Sequence, residues 1–358
     1  MNRPLVVVVA QAFKETFTAA EVADRMAAGV ESAGGTPLVI LGSDGGDGLL
    51  EALRSDLIET ESYSVSDPIG RPVEAQLGWL DRSTVVVESR LACGLALLDR
   101  GDRDPLRTST RGVGELIDHA VSSGAASVVV GLGGSATMDG GTGMARAWGW
   151  EFRNKDGIAL LDGGGSLLDV VEVDSGDSPA AEIIGLRDVE NVLTGVDGAR
   201  VYAAQKGATN AAEGALARGL ERLVAAAARF GGAEFAAQPG AGAAGGMGFG
   251  LLCFGRGRLI RGASWMLDRA ELSAALREAA LVVTGEGCFD QTSSRGKLTG
   301  EVLHRAETAG VPALILAPQA KDVPSGVAVE SGGGLWSADD LEARARTGTE
   351  RALRLLAG

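Results

Sequence analysis

The chain has 358 residues, too many for one ordinary core, so two domains of roughly 150 to 200 residues each are expected. Its 33 Lys and Arg against 47 Asp and Glu leave a formal net charge of −14, which repels polyanions and argues against nucleic acid or an anionic membrane surface as partner. Three scattered cysteines (Cys93, Cys253, Cys288) suit neither a disulfide framework nor a zinc pair, and two histidines, His119 and His304, leave little for a histidine triad or metal site.

Taken in chain order, short apolar runs with the character of buried strands fall at Leu5–Val9, Pro37–Leu41, Thr84–Glu88, Ser127–Gly131, Ala280–Thr284 and Pro312–Ala317. The first is too short for a signal peptide and no stretch reaches transmembrane length, so a cytoplasmic protein is expected. Thr18 with Glu21 forms a capping box ahead of Val22, Met26 and Val30 at helical spacing, and Gly34-Gly35 ends that helix, so residues 5–41 read as one βαβ unit. Further helices are expected at Val113–Ser122, Gly141–Trp148, Ala211–Phe230, Ala270–Ala279 and Gly300–Ala309. A last one runs from Ala338 to Leu356, with Ser337 before it and Asp339 and Asp340 in its first turn. Strands alternating with helices predict an α/β fold. Both chain ends look like simple α/β units and the centre is richer in Gly and Ala. A discontinuous domain of residues 1–75 and 282–358, with a second domain of residues 76–281 inserted, fits that pattern.

The run Val128-Val129-Val130 opens into Gly131-Leu132-Gly133-Gly134-Ser135-Ala136-Thr137-Met138-Asp139-Gly140-Gly141, where backbone N–H groups are free to converge on an anion. Lysine is scarce: only five stand against 28 arginines, and Lys14, Lys206 and Lys297 lie in short polar or glycine-bearing segments, which points to phosphate or carboxylate contacts. Polar segments also occur at Ser43–Gly48, Arg187–Asn191, Gln205–Gly207 and Thr284–Asp290, where strands or turns should end. Gly131-x-Gly133-x-x-Ala136 and Gly240-x-Gly242-x-x-Gly245 match a dinucleotide fingerprint, but neither has the tight strand–helix turn and the acidic strand end that such a site needs. A Walker A sequence is absent, since Gly296-Lys297 is followed by Leu298. What remains is a phosphate binder with several carboxylates and lysines, the parts that phosphoryl transfer to a hydroxyl requires.

Gly133-Gly134-Ser135-Ala136-Thr137 with Asp139-Gly140-Gly141, Gln205-Lys206-Gly207-Ala208, Gly240 to Gly246, and Thr284-Gly285-Glu286-Gly287 through Gly296-Lys297 resemble the glycerate kinase type 1 family. Phe13-Lys14-Glu15, Asp44-Gly45-Gly46-Asp47-Gly48 and Gly112-Val113-Gly114-Glu115-Leu116 resemble it too, in the same order, up to about residue 318. The resemblance implies a discontinuous flavodoxin-like (Rossmann-like) domain with a second α/β domain inserted and the active site in the cleft between them. It also implies ATP, Mg²⁺ and glycerate. On that basis Asp188 is the candidate general base, and Lys206, Gly133, Gly134 and Ser135 position phosphate or substrate carboxylate. Lys14, Asp44, Asn191, Gln205 and Lys297 complete the substrate side, and Glu286 and Asp290 hold Mg²⁺ directly or through water. The expected partners are a small hydroxy acid and a nucleotide, with a homodimer left open.

The sequence departs from the family pattern at Gln11, Met138 and Cys288, where a carboxylate, an amide and a guanidinium usually stand. Those losses are expected to change the polar groups open to a substrate. Two rival readings follow: a kinase of the same fold for another hydroxy acid or specialised metabolite, and a catalytically silent ligand-binding protein.

Overall fold

The computed structural model describes residues 3–13, 16–291, 293 and 297–357. The chain divides into two compact units: Met1–Asp44, Glu51–Leu53 and Gly262–Gly358 form the first, Gly45–Leu50 and Arg54–Arg261 the second. Among the described residues no helix is long and apolar enough to cross a membrane.

The first unit is built on a five-stranded sheet in the order Ala328–Glu330, Ala313–Leu316, Leu281–Gly285, Leu5–Ala10, Thr36–Leu41. Every pairing in it is parallel. Counted along the chain the order is 2-1-3-4-5, the flavodoxin-like doubly wound arrangement, and the order reverses between Leu5–Ala10 and Leu281–Gly285. Val6–Val9 and Leu281–Val283 are fully buried because helices cover both faces. One face packs Val22, Met26 and Val30 of the helix Ala19–Ser32 with Leu341 and Ala345 of the helix Ala338–Ala357. The other packs Ala263, Leu267, Leu298 and Val302. The Thr18–Glu21 capping box forms as its spacing predicts, with the Glu21 N–H donating to Thr18 Oγ1 at 3.2 Å and the Thr18 N–H to Glu21 Oε2 at 2.9 Å. Ser337 and Asp340 make the equivalent pair ahead of the last helix.

The second unit carries a six-stranded sheet in the order Arg258–Arg261, Glu182–Arg187, Ser127–Gly131, Thr84–Glu88, Pro72–Trp79, Glu59–Ser66. The last two strands are antiparallel, so the parallel part spans four strands.

These pairings move both domain boundaries away from residues 75 and 281. The hairpin Glu59–Ser66/Pro72–Trp79 joins the second unit's sheet through Leu77 opposite Val87 and Trp79 opposite Val85. Residues 262 to 276 return to the first unit, where Ala263, Leu267, Leu272 and Leu276 fill the core beside Val7 and Val282. Of the helix expected over Ala270–Ala279 only the short helix Leu272–Ala275 forms; a separate helix, Gly262–Arg269, precedes it, and Glu271, whose φ of 51° is left-handed, stands between the two.

Candidate active site

In the second unit the strand Ser127–Gly131 is held between two parallel neighbours, and its chain then runs through a loop before the helix Thr142–Ala147 begins. Two neighbours clamp the loop. On one side the Ala136 N–H donates to Cys93 O at 2.8 Å, the Leu95 N–H donates to Gly134 O at 3.0 Å, and Thr108 Oγ1 donates to Ala136 O at 2.7 Å. On the other side the Gly140 N–H donates to Gly245 O at 3.1 Å. Ala244, Gly245 and Gly246 are three consecutive left-handed residues with φ of 51°, 68° and 93°. A Cβ on Gly245 would lie 1.8 Å from Thr137 O, so the Gly-rich segment 240–246 is the loop's packing partner and not a dinucleotide fingerprint.

Lys206 and Asp139 organise the loop from beneath. Lys206, 3 % exposed, donates from Nζ to Ser135 Oγ and to Thr137 O, each at 2.8 Å. Burial lowers its pKa from 10.5 to about 8, against the opposing pull of the Cys93, Asp139 and Asp188 charges. Asp139 is fully buried; its Oδ2 accepts the Thr110 N–H and hydroxyl at 2.9 Å and the Gly143 N–H at 3.1 Å, while its Oδ1 accepts the Gly141 N–H at 3.1 Å. Burial pushes its carboxyl up and those donors pull it down. It therefore anchors the start of the helix Thr142–Ala147 rather than meeting a ligand.

Asp188 follows directly on the strand Glu182–Arg187, at the carboxyl end of the sheet, half-buried, close enough for its charge to act on Lys206 and on the Tyr202 hydroxyl. The structure thus brings Asp188, Lys206, Ser135, Gly133 and Gly134 together. Asn191 lies beside them with its amide engaged: Nδ2 donates to Asp197 O at 2.6 Å, and Oδ1 accepts the Tyr202 hydroxyl at 2.8 Å. Gln205 is exposed, on the turn that aims Lys206 inward.

A second group gathers in the first unit, where the order of its sheet reverses, the place at which ligands bind open α/β sheets. Glu286 follows the strand Leu281–Gly285 and is 9 % exposed; its Oε2 accepts Ser293 Oγ–H at 3.0 Å and its Oε1 is buried without a hydrogen-bond partner among the described residues. Burial raises its pKa, which the Ser293 and Thr299 hydroxyls and the Lys297 charge lower and the Asp290 charge raises further. Asp290 is held in a turn by Ser293, with the Ser293 N–H donating to Asp290 O at 3.0 Å. Lys297 is half-buried at the N-cap of the helix Leu298–Ala309. Asp44 is half-buried at the end of the first unit's opening segment, and Lys14 lies outside the described residues.

Two of the three departures have side chains engaged within the protein. Met138 is fully buried in the second unit's core, so its side chain is a packing group. Gln11 donates from Nε2 to Gly285 O at 3.2 Å and to Thr299 Oγ1 at 3.0 Å, which ties together the carboxyl ends of the two strands at the reversal. Cys288 is exposed. Sequence reasoning passed over Glu88, Arg90, Thr110 and Ser293. Of these, Glu88 had a usable signal, a carboxylate directly after the apolar run Val85–Val87 at a strand's carboxyl end.

Parallel α/β sheets whose strand ends carry a glycine loop, a buried lysine and half-buried carboxylates define a phosphate-handling α/β enzyme. The chain belongs to the glycerate kinase family, whose model matches residues 6–347. It is 36 % identical over 324 residues to the glycerate kinase of Bacillus subtilis (strain 168), covering 87 % of this chain and 84 % of that protein. It is 34 % identical over 326 residues to the glycerate 2-kinase of Escherichia coli (strain K12), covering 88 % and 86 %. A crystal structure of the protein assigned as glycerate kinase 2 from Salmonella typhimurium LT2 superposes with a TM-score of 0.82 at 33 % identity, covering 100 % of this chain and 99 % of that one.

Proposed function

We propose that the protein is a cytoplasmic kinase that transfers the γ-phosphoryl group of ATP to a hydroxyl of a small hydroxy acid, with D-glycerate as acceptor and a phosphoglycerate as product. The observation that carries the reading is the Gly133–Thr137 loop held open by Lys206, in a chain similar to glycerate kinases along nearly its whole length. Asp188 accepts the proton of the attacking hydroxyl. It stands at a strand end, close enough to the buried Lys206 for the two charges to interact. The loop's backbone N–H groups orient phosphate or substrate carboxylate. Lys206 holds Ser135 and Thr137 in the conformation that exposes those groups, and supplies positive charge from below.

Glu286 and Asp290 fit a Mg²⁺ site. One buried carboxylate oxygen of Glu286 lacks a partner among the described residues, and a second carboxylate is near enough to feel its charge. One or two protein carboxylates with phosphate oxygens completing the shell is the usual Mg²⁺ arrangement. Glu286 and Asp290 would hold the ion, which would supply charge to neutralise the nucleotide phosphates.

The burial of Met138 removes the main reason for preferring another acceptor, so D-glycerate stands first. Phosphorus NMR of the products from MgATP and D-glycerate tests the reading and separates the 2- from the 3-phosphate. The 2-phosphate is expected, by analogy with the E. coli relative's name. No phosphoglycerate resonance would remove the proposal.

A further inference from the structure

Glu88 ends the strand Thr84–Glu88 and is 3 % exposed. Its Oε1 accepts the Gly48 N–H at 2.7 Å and its Oε2 the Leu50 N–H at 3.1 Å, and Oε1 also receives Nε of Arg90. Asp47 Oδ1 lies 3.7 Å from the same Nε. The Arg90 side chain then runs along Gly134: a Cβ placed on that glycine would stand 3.2 Å from Arg90 Cβ and 3.3 Å from Cδ. Gly134 has φ of 63°, and the residue after it is the Ser135 that Lys206 holds. The arginine keeps 35 % of its side chain exposed, and its two Nη groups donate to none of the described residues.

We propose that Arg90 is a further acceptor-binding residue, whose Nη groups form a fork for the carboxylate of the hydroxy acid at the Gly133–Ser135 loop. This rests on the kinase reading above. Two cations flank the loop, and they are unlike. Lys206 is sealed in and uses two of its three N–H bonds on the protein. Arg90 is fixed at one nitrogen and open at the other two, the state of a guanidinium prepared for a planar anion with little ordering left to do. The charge around it selects the kind of anion. Glu88 and Asp47 leave the cluster with no net positive charge, so it offers directed hydrogen bonds rather than a strong field. A singly charged carboxylate matches that; a phosphoryl group of higher charge meets two neighbouring carboxylates.

Steady-state kinetics of the full chain with MgATP and D-glycerate test the assignment, using Arg90→Lys and Arg90→Ala. Lysine keeps the charge that covers Glu88 and loses the fork; alanine removes both, so the lysine variant guards against a merely unfolded protein, with thermal melting as the check. In both, the KM for the acceptor should rise about 10- to 100-fold, the worth of a charge-assisted pair of hydrogen bonds, with the KM for ATP within about twofold of the parent. An acceptor KM unchanged in both variants, or an equal rise in the KM for ATP, overturns the proposal while leaving the kinase reading intact. If the parent chain forms no phosphoglycerate, the kinase reading fails, and D-glycerate binding by calorimetry decides for Arg90. Binding lost in Arg90→Lys upholds the carboxylate fork; binding kept, or absent in the parent, overturns it.

Discussion

Lys206→Met separates the cost of burying a charge from the value of the bonds that the charge makes. The lysine is 3 % exposed, and burial brings its pKa from 10.5 to about 8. That gap corresponds to about 3 kcal/mol by which the native state is penalised while the group is charged in both states. Methionine removes the penalty and fills similar space, but leaves Thr137 O and Ser135 Oγ without their partner. Each such loss costs about 1–3 kcal/mol, so at pH 7 the variant should lie between about 1 kcal/mol more stable and about 3 kcal/mol less stable than the parent. Between pH 8 and 10.5 the unfolded chain still holds the proton and the native state has lost it, so rising pH favours the native parent and does nothing for this term in the variant. The parent's advantage should therefore be flat below about pH 8 and grow by about 3 kcal/mol by pH 10.5. Guanidinium unfolding at several pH values reads it, with Trp79, Trp148 and Trp150, all buried in the second unit, as reporters. An advantage that is constant or shrinks from pH 7 to 10.5 would refute the reasoning, because it would mean that the ammonium is not buried as charge.

Asp188→Asn should lower kcat about 10²- to 10⁴-fold with both KM values within a few-fold, the signature of a lost proton acceptor; an active variant would assign the base elsewhere. Glu286→Gln should raise the Mg²⁺ concentration for half-maximal activity and leave the melting temperature nearly unchanged, because the amide oxygen can still accept Ser293 Oγ–H. An unaltered Mg²⁺ dependence would take Glu286 out of the metal site. Gly245→Ala should destabilise the second unit by more than about 3 kcal/mol, since its φ of 68° disfavours a side chain and the new Cβ would meet Thr137 O at 1.8 Å. A near-parental unfolding midpoint would show that the segment can shift without cost.

What the sequence revealed of this fold followed burial. The strands Thr84–Glu88 and Ser127–Gly131 form over the expected residues because continuous β-branched runs suit strands covered on both faces. The hairpin Glu59–Ser66/Pro72–Trp79 escaped notice because much of it faces solvent and its residues, such as Glu59, Glu61 and Ser64, are polar. Missing it moved the domain boundary, since its ties to the second unit are the pairing toward Val85 and Val87, the burial of Val65, Ala75 and Leu77 in that unit's core and the bonds from Ser66 to Glu115, none of which a local pattern records. The site divides along the same line. Scarcity of lysine singled out Lys206 correctly as an unusual cation, but a lone residue type does not say whether its charge faces a ligand or the interior. Here the interior has it, bound to Ser135 and Thr137. Met138, an apolar residue inside a polar loop, keeps its side chain in the core, where Gly164 comes close to its backbone oxygen and Gly245 to that of Thr137. Backbone approaches at glycine decide which of the loop's residues look outward, so the ligand-facing set is fixed by residues that carry no chemistry of their own. Arg90, a surface cation by sequence, becomes a candidate ligand by that same geometry, because the glycine at position 134, with φ of 63°, leaves room for the Asp47 carboxylate and the arginine's stem beside the loop.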